Sequence, residues 1–69
     1  MKNIAYNGVN YILLSKSELN KFSGYDKVIA ECHLSNCGYI ICYEGGYDSD
    51  FEPLDDEYIL DALYNLLEN

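Results

Sequence analysis

The stretch KVIAECHLSNCGYIICYE, residues 27–44, decides how the chain is read. It holds two apolar runs, KVIAECHL and YIICYE, separated by SNCG. Both runs are rich in β-branched and aromatic residues, and the insert carries turn-forming residues. The pattern predicts a β-hairpin turning at Asn36-Cys37, with Gly38 in the left-handed position of a bulged loop. In that register Val28, Ala30, Cys32 and Leu34 share one face with Ile40 and Cys42. Ile29, Glu31, His33, Tyr39, Ile41 and Tyr43 fill the other. A different turn length would move these pairings.

Upstream, IAYNGVNYILL (residues 4–14) carries the clearest local signal. Asn7 and Gly8 both accept positive φ, which a two-residue type I′ turn needs. Such a loop pairs Tyr6 with Val9 and Ile4 with Tyr11. It places Ile4, Tyr6, Val9, Tyr11 and Leu13 on one face. Between the hairpins, SKSELNKFSG predicts a helix of two turns at most. Ser15 and Glu18 form its capping box, Leu19 and Phe22 point inward, and Gly24 ends it.

Downstream of a loop at residues 45–51, Pro53 reads as the first residue of a C-terminal helix, where a missing N–H costs nothing. Asp55, Asp56 and Glu57 fill its first turn and favour the helix dipole. Tyr58, Ile59, Ala62, Leu63, Leu66 and Leu67 form a broad apolar arc, with Glu57, Asp61, Asn65 and Glu68 as the polar stripe. The sequence therefore predicts a single small acidic domain, residues 1–69, of the α+β class. Its sheet would have four antiparallel strands built from two hairpins, joined by a short helix. The C-terminal amphipathic helix would pack on one face.

Charge is the strongest functional signal. The chain of 69 residues has a formal net charge of −8, with four Lys and no Arg. Residues 1–43 hold all four Lys against three acids (Glu18, Asp26, Glu31), a balance of +1, whereas residues 44–69 hold nine acids and no base. Direct nucleic-acid binding needs clustered Lys and Arg, and an anionic membrane disfavours the same surface. No apolar run reaches membrane-span length, and Asn residues interrupt the N-terminal one. Three Cys is an odd count for a disulfide framework, so a reduced, cytoplasmic chain is expected.

Chemistry-bearing motifs are sparse. Cys32, His33, Cys37 and Cys42 lack the paired spacing of a zinc knuckle, and adjacent Cys32 and His33 would face opposite sides of a strand. Asp48-x-Asp50-x-Glu52 resembles the start of a calcium-binding loop. The sixth position, however, is Pro53 rather than Gly, and the twelfth is Ile59 rather than Glu. His33 beside Cys32 or Cys37 is the sole nucleophile-and-base pairing, and Gly45-Gly46 lacks the Lys of a phosphate loop. The expectation is a protein that is not an enzyme and has no metal or cofactor.

An acidic run is ordinarily a solvated face that aids solubility. Here the acids are not interspersed with Lys, and aromatic residues alternate with them. Asp48, Asp50, Glu52, Asp55, Asp56, Glu57 and Asp61, with Tyr47, Phe51 and Tyr58 as anchors, form the candidate partner-binding site. The natural partner is the basic surface of a nucleic-acid-binding protein, with carboxylates imitating part of a phosphate row. In size, acidity, tyrosine content and lack of catalytic groups, the chain resembles the small anti-defence proteins of phages and mobile elements. These inhibit restriction enzymes, CRISPR effectors and repair glycosylases. The resemblance implies an inhibitor that blocks a nucleic-acid site, acting by DNA mimicry, conformational locking or an assembly block. Two other readings fit the same charge: an antitoxin or immunity protein against a basic nuclease, and a regulatory module relying on apolar surface. The broad helix face, small core and sheet edges also predict a homodimer.

Overall fold

The computed structural model describes residues 2–44 and 51–68. Strands β1 (Lys2–Tyr6) and β2 (Val9–Leu14) are followed by a 3-10 helix (Lys16–Lys21) and helix α1 (Gly24–Cys37). Strand β3 (Ile40–Tyr43) and helix α2 (Glu57–Glu68) complete the order. The sheet is antiparallel and three-stranded, in the order β1-β2-β3. The α+β class holds; the four-stranded sheet does not.

The first hairpin forms in the expected register, with Tyr6 opposite Val9 and Ile4 opposite Tyr11. Asn7 (φ 52) and Gly8 (φ 77) supply the two left-handed residues of the turn. Tyr11 and Leu13 are buried, with Ile4 and Tyr6 packed against the same cluster.

The second hairpin is replaced by a helix followed by a strand. Residues 24–37 are helical, and only the YIICYE half of the expected hairpin is a strand. The physical reason lies in spacing. Ala30, His33, Leu34 and Cys37 recur at three- and four-residue intervals and turn inward together. Tyr25 and Val28 face solvent, while the polar His33 is buried, so the helical hydrophobic pattern is nearly erased in the sequence. Gly38 takes the expected left-handed conformation (φ 83) for another purpose. It caps α1, and its N–H donates to the Leu34 carbonyl at 2.9 Å. Gly38→Ala is expected to cost about 1 kcal/mol through that positive φ, measured by urea denaturation.

Two local devices also differ from expectation. Ser15 precedes the 3-10 helix but makes no side-chain cap, its hydroxyl lying 2.7 Å from that of Ser17. Glu18 pairs with Lys21 at 2.9 Å instead of closing a capping box. Gly24 (φ 60) opens α1 rather than ending the element before it. Leu19 and Phe22 do pack inward, as expected.

The chain returns to the sheet before α2. Pro53 forms a β-bridge with Cys42 and does not begin a helix. Its flanks carry the hydrogen bonds: Tyr43 N–H to the Glu52 carbonyl at 3.0 Å, and Leu54 N–H to the Ile41 carbonyl at 2.8 Å. Pro53 thus occupies a bridge position that requires no N–H, and the segment covers the outer edge of β3. Helix α2 begins at Glu57, four residues later than the expected start at Pro53. Asp56 is its cap, with Oδ1 accepting from the N–H groups of Tyr58 (3.0 Å) and Ile59 (3.3 Å). Asp56→Ala is expected to destabilise the fold by about 1 kcal/mol, whereas Asp56→Asn is expected to be nearly neutral. Paired chemical denaturation curves check both.

Two clusters lie on opposite faces of the sheet. On one, Leu60 and Leu63 of α2 pack on Tyr11, Leu13, Ile41 and Leu54. On the other, Leu14, Phe22, Ala30, Ile40 and Cys42 form the core. The apolar arc of α2 is rotated from expectation: Leu60 is buried, whereas Tyr58 is 90% and Leu66 53% exposed.

Candidate functional site

The exposed side of α2 and the groove it makes with α1 carry the candidate site. Asp55, Glu57, Asp61 and Glu68 are exposed, and residues 51–68 contain no base. Among the described residues, the one ion pair is Lys21 with Glu18, so none of these four carboxylates is neutralised in that way. Tyr58 stands between them as the most exposed large apolar side chain of this face. Its position one residue into the helix is set by the Asp56 cap.

Beside it, a groove of about 300 Å³ runs between the helices. Glu57 and Asp61, one turn apart, line it from α2 together with Leu60 and Tyr64. Cys32 and Asn36, also one turn apart, line it from α1. Burial and the neighbouring Cys37 push the Tyr64 phenol up to about 12, so it stays protonated there. The arrangement offers carboxylate acceptors above an apolar floor, which suits the stem and head of a basic side chain.

The expected site residues separate into three groups. Glu57, Tyr58 and Asp61 come together on α2, with the exposed Asp55 just ahead of it. Asp55 also accepts a 3.3 Å hydrogen bond from the Tyr43 hydroxyl, whose pKa is raised by burial and then by this carboxylate. Three others have structural roles. Asp56 caps α2, and the exposed Glu52 lends its carbonyl to β3. Phe51 packs on the Leu14 cluster under the ammonium of Lys21, 5.6 Å from the ring centroid, and is not a free anchor. Tyr47, Asp48 and Asp50 lie outside the described residues.

No family model matches the chain, nor does any curated protein or solved structure. The site therefore rests on its geometry.

The residues that sequence reasoning missed are those contributed by α1. Cys32 and Asn36 share a face only if residues 24–37 are helical; their four-residue separation was the available signal. The Cys and His residues do not converge. Cys32 is exposed, Cys37 partly buried and Cys42 buried. Burial raises the Cys37 thiol and pushes Cys42 up to about 12, leaving both as thiols at neutral pH. Among the described residues, no three His, Cys, Asp or Glu side chains are placed to hold a metal ion.

His33 has a different occupation. It is fully buried, and both ring nitrogens are used. Nδ1 accepts from the Ile41 N–H at 3.1 Å, so Nε2 carries the proton and donates to the Leu54 carbonyl at 2.8 Å. Ile41 and Leu54 thus share one direct hydrogen bond and one relayed through the imidazole. Tyr64 meets the ring edge-on at 6.4 Å. The histidine joins α1, β3 and the segment leading to α2, which fixes the walls of the groove.

Proposed function

We propose that this chain is a small acidic inhibitor that binds a basic nucleic-acid-handling protein in the cytoplasm and blocks its nucleic-acid site. The supporting observation is Tyr58, 90% exposed and flanked by Asp55, Glu57 and Asp61. An aromatic held in solvent by a capped helix contributes little to the core and suits an interface anchor. The unneutralised acids around it would steer association with Lys- and Arg-lined surfaces and disfavour acidic ones. Partial imitation of a phosphate row is the simplest mechanism, because the partner's basic channel already recognises regularly spaced negative charge.

The test is capture from nuclease-treated lysate by the immobilised chain, followed by elution with rising salt and then with DNA. Recovery of a nucleic-acid enzyme that DNA displaces, and whose nucleic-acid binding the purified chain inhibits, supports the reading. A partner retained through salt and DNA overturns it and favours an interaction through apolar surface.

A further inference from the structure

At the end of the sheet away from the Asn7-Gly8 turn, the chain has a second concavity whose described lining residues carry charge opposite in sign to the chain's net charge. It is a cleft of about 510 Å³, within the range of roughly 300–1,000 Å³ common for small-molecule sites. It wraps the end of β2, lined by Leu13 and Tyr39 from one face of the sheet and by Leu14 and Phe51 from the other. Two of the four lysines in the chain, Lys2 and Lys21, also line it.

Each ammonium is held against one of the two aromatic rings. Lys2 Nζ lies 5.2 Å from the Tyr39 ring centroid and donates to the Tyr39 hydroxyl at 2.9 Å. Lys21 Nζ lies 5.6 Å from the Phe51 centroid and 2.9 Å from Glu18. Three donors on each ammonium leave hydrogen-bonding capacity beyond these contacts. Glu18 is the one acid among the described lining residues, which together carry one excess positive charge in a chain of net charge −8. At physiological ionic strength the distant acids are screened over about 8 Å, and the local charge governs what binds.

We propose that this cleft binds a small amphipathic monocarboxylate, with its anion on Lys2 and Lys21 and its alkyl or aryl body on Leu13, Leu14 and the two rings. The site is separate from the acidic face of α2 and does not depend on the function proposed for that face. The single excess positive charge of the described lining residues matches a monoanion, and the apolar lining disfavours a fully hydrated inorganic ion.

The experiment is a titration of the ¹⁵N-labelled full chain with octanoate, read by amide chemical shifts at physiological ionic strength. Octanol serves as the uncharged comparator. Saturable shifts are expected at Leu13, Leu14, Tyr39 and Phe51, with octanol at least about tenfold weaker. The double variant K2Q/K21Q is expected to lose a similar factor without global spectral change, since both side chains are exposed. E18Q, which releases Lys21 from its ion pair, is expected to tighten binding several-fold, a gain that misfolding cannot produce. Absence of saturable shifts at low-millimolar octanoate overturns the proposal. So does binding indifferent to the ligand's charge and to all three substitutions.

Discussion

Replacing His33 with leucine is expected to cost about 4 kcal/mol, because the Ile41 N–H and the Leu54 carbonyl would both lose their partner in a dry core. For a domain of this size that is a fall in Tm of roughly 15–30 °C, enough to unfold much of the population at physiological temperature. Leucine is close in volume and apolar, so the loss isolates the hydrogen bonds from cavity formation. His33→Gln retains an acceptor and a donor on one side chain and is expected to recover part of the loss. Thermal and urea denaturation of the three proteins measure this. A loss below about 1 kcal/mol for the leucine variant would mean that both backbone groups find other partners.

The same residue sets a pH dependence whose sign follows from the hydrogen bonds. Burial lowers the His33 pKa below 6.5, opposed in part by the hydrogen bond to the Leu54 carbonyl. Protonation would also put a second N–H on Nδ1, facing the Ile41 N–H, so the folded state prefers the neutral ring. Tyr64, whose ring meets the imidazole, and Cys37, whose thiol donates to the His33 carbonyl, are themselves held neutral by burial. The unfolded chain takes up the proton as pH falls below 6.5 and the folded chain resists it. This contribution to stability is therefore complete above 6.5 and declines as pH falls from there towards the folded-state pKa. All other titrating groups are common to wild type and His33→Gln. The difference between wild type and His33→Gln across pH 5–7.5 removes their common effect and should show the wild type losing its advantage in acid.

The second large effect concerns binding. The triple variant Asp55→Asn, Glu57→Gln, Asp61→Asn is expected to weaken capture of the basic partner by about 10–100-fold near physiological salt, chiefly through slower association. Its stability should change little or rise, since three mutually repelling charges are removed. Asp56 is left in place because it caps α2, and altering it would confuse folding with binding. Tyr58→Ala tests the anchor separately. An exposed side chain contributes little to folding, so a loss of about tenfold or more in affinity with unchanged Tm would locate the contact. Surface plasmon resonance with the captured partner at several salt concentrations measures both. Undiminished binding by a correctly folded triple variant would sink the charge-mimic mechanism and leave the acids as a solvated face.

Local chemistry in the sequence determined the Asn7-Gly8 hairpin and its register, because two left-handed residues between apolar flanks have few other solutions. It also determined that a helix ends the chain and that its exposed side is acidic. The division of charge, with all the lysines in the first 27 residues, is a property of the sequence alone.

Tertiary structure decided the rest, for identifiable reasons. Residues 24–37 contain Val28 and Ile29, which suit a strand, yet they form α1. Burying Ala30, Leu34 and Cys37 together with a hydrogen-bonded His33 outweighs local propensity. Pro53 had an equally good local reading as a helix start, but its neighbours complete the edge of β3. The acidic run, which looks uniform in sequence, is divided by those same contacts: Asp56 becomes a cap, and the exposed Glu52 contributes a backbone carbonyl to the sheet edge. Asp55, Glu57 and Asp61 are left to solvent. Local pattern can report which residues are apolar or charged, but the partner of a buried polar group belongs to another part of the chain. Only the folded arrangement of α1, β3 and the Glu52–Leu54 segment specifies the surroundings of His33.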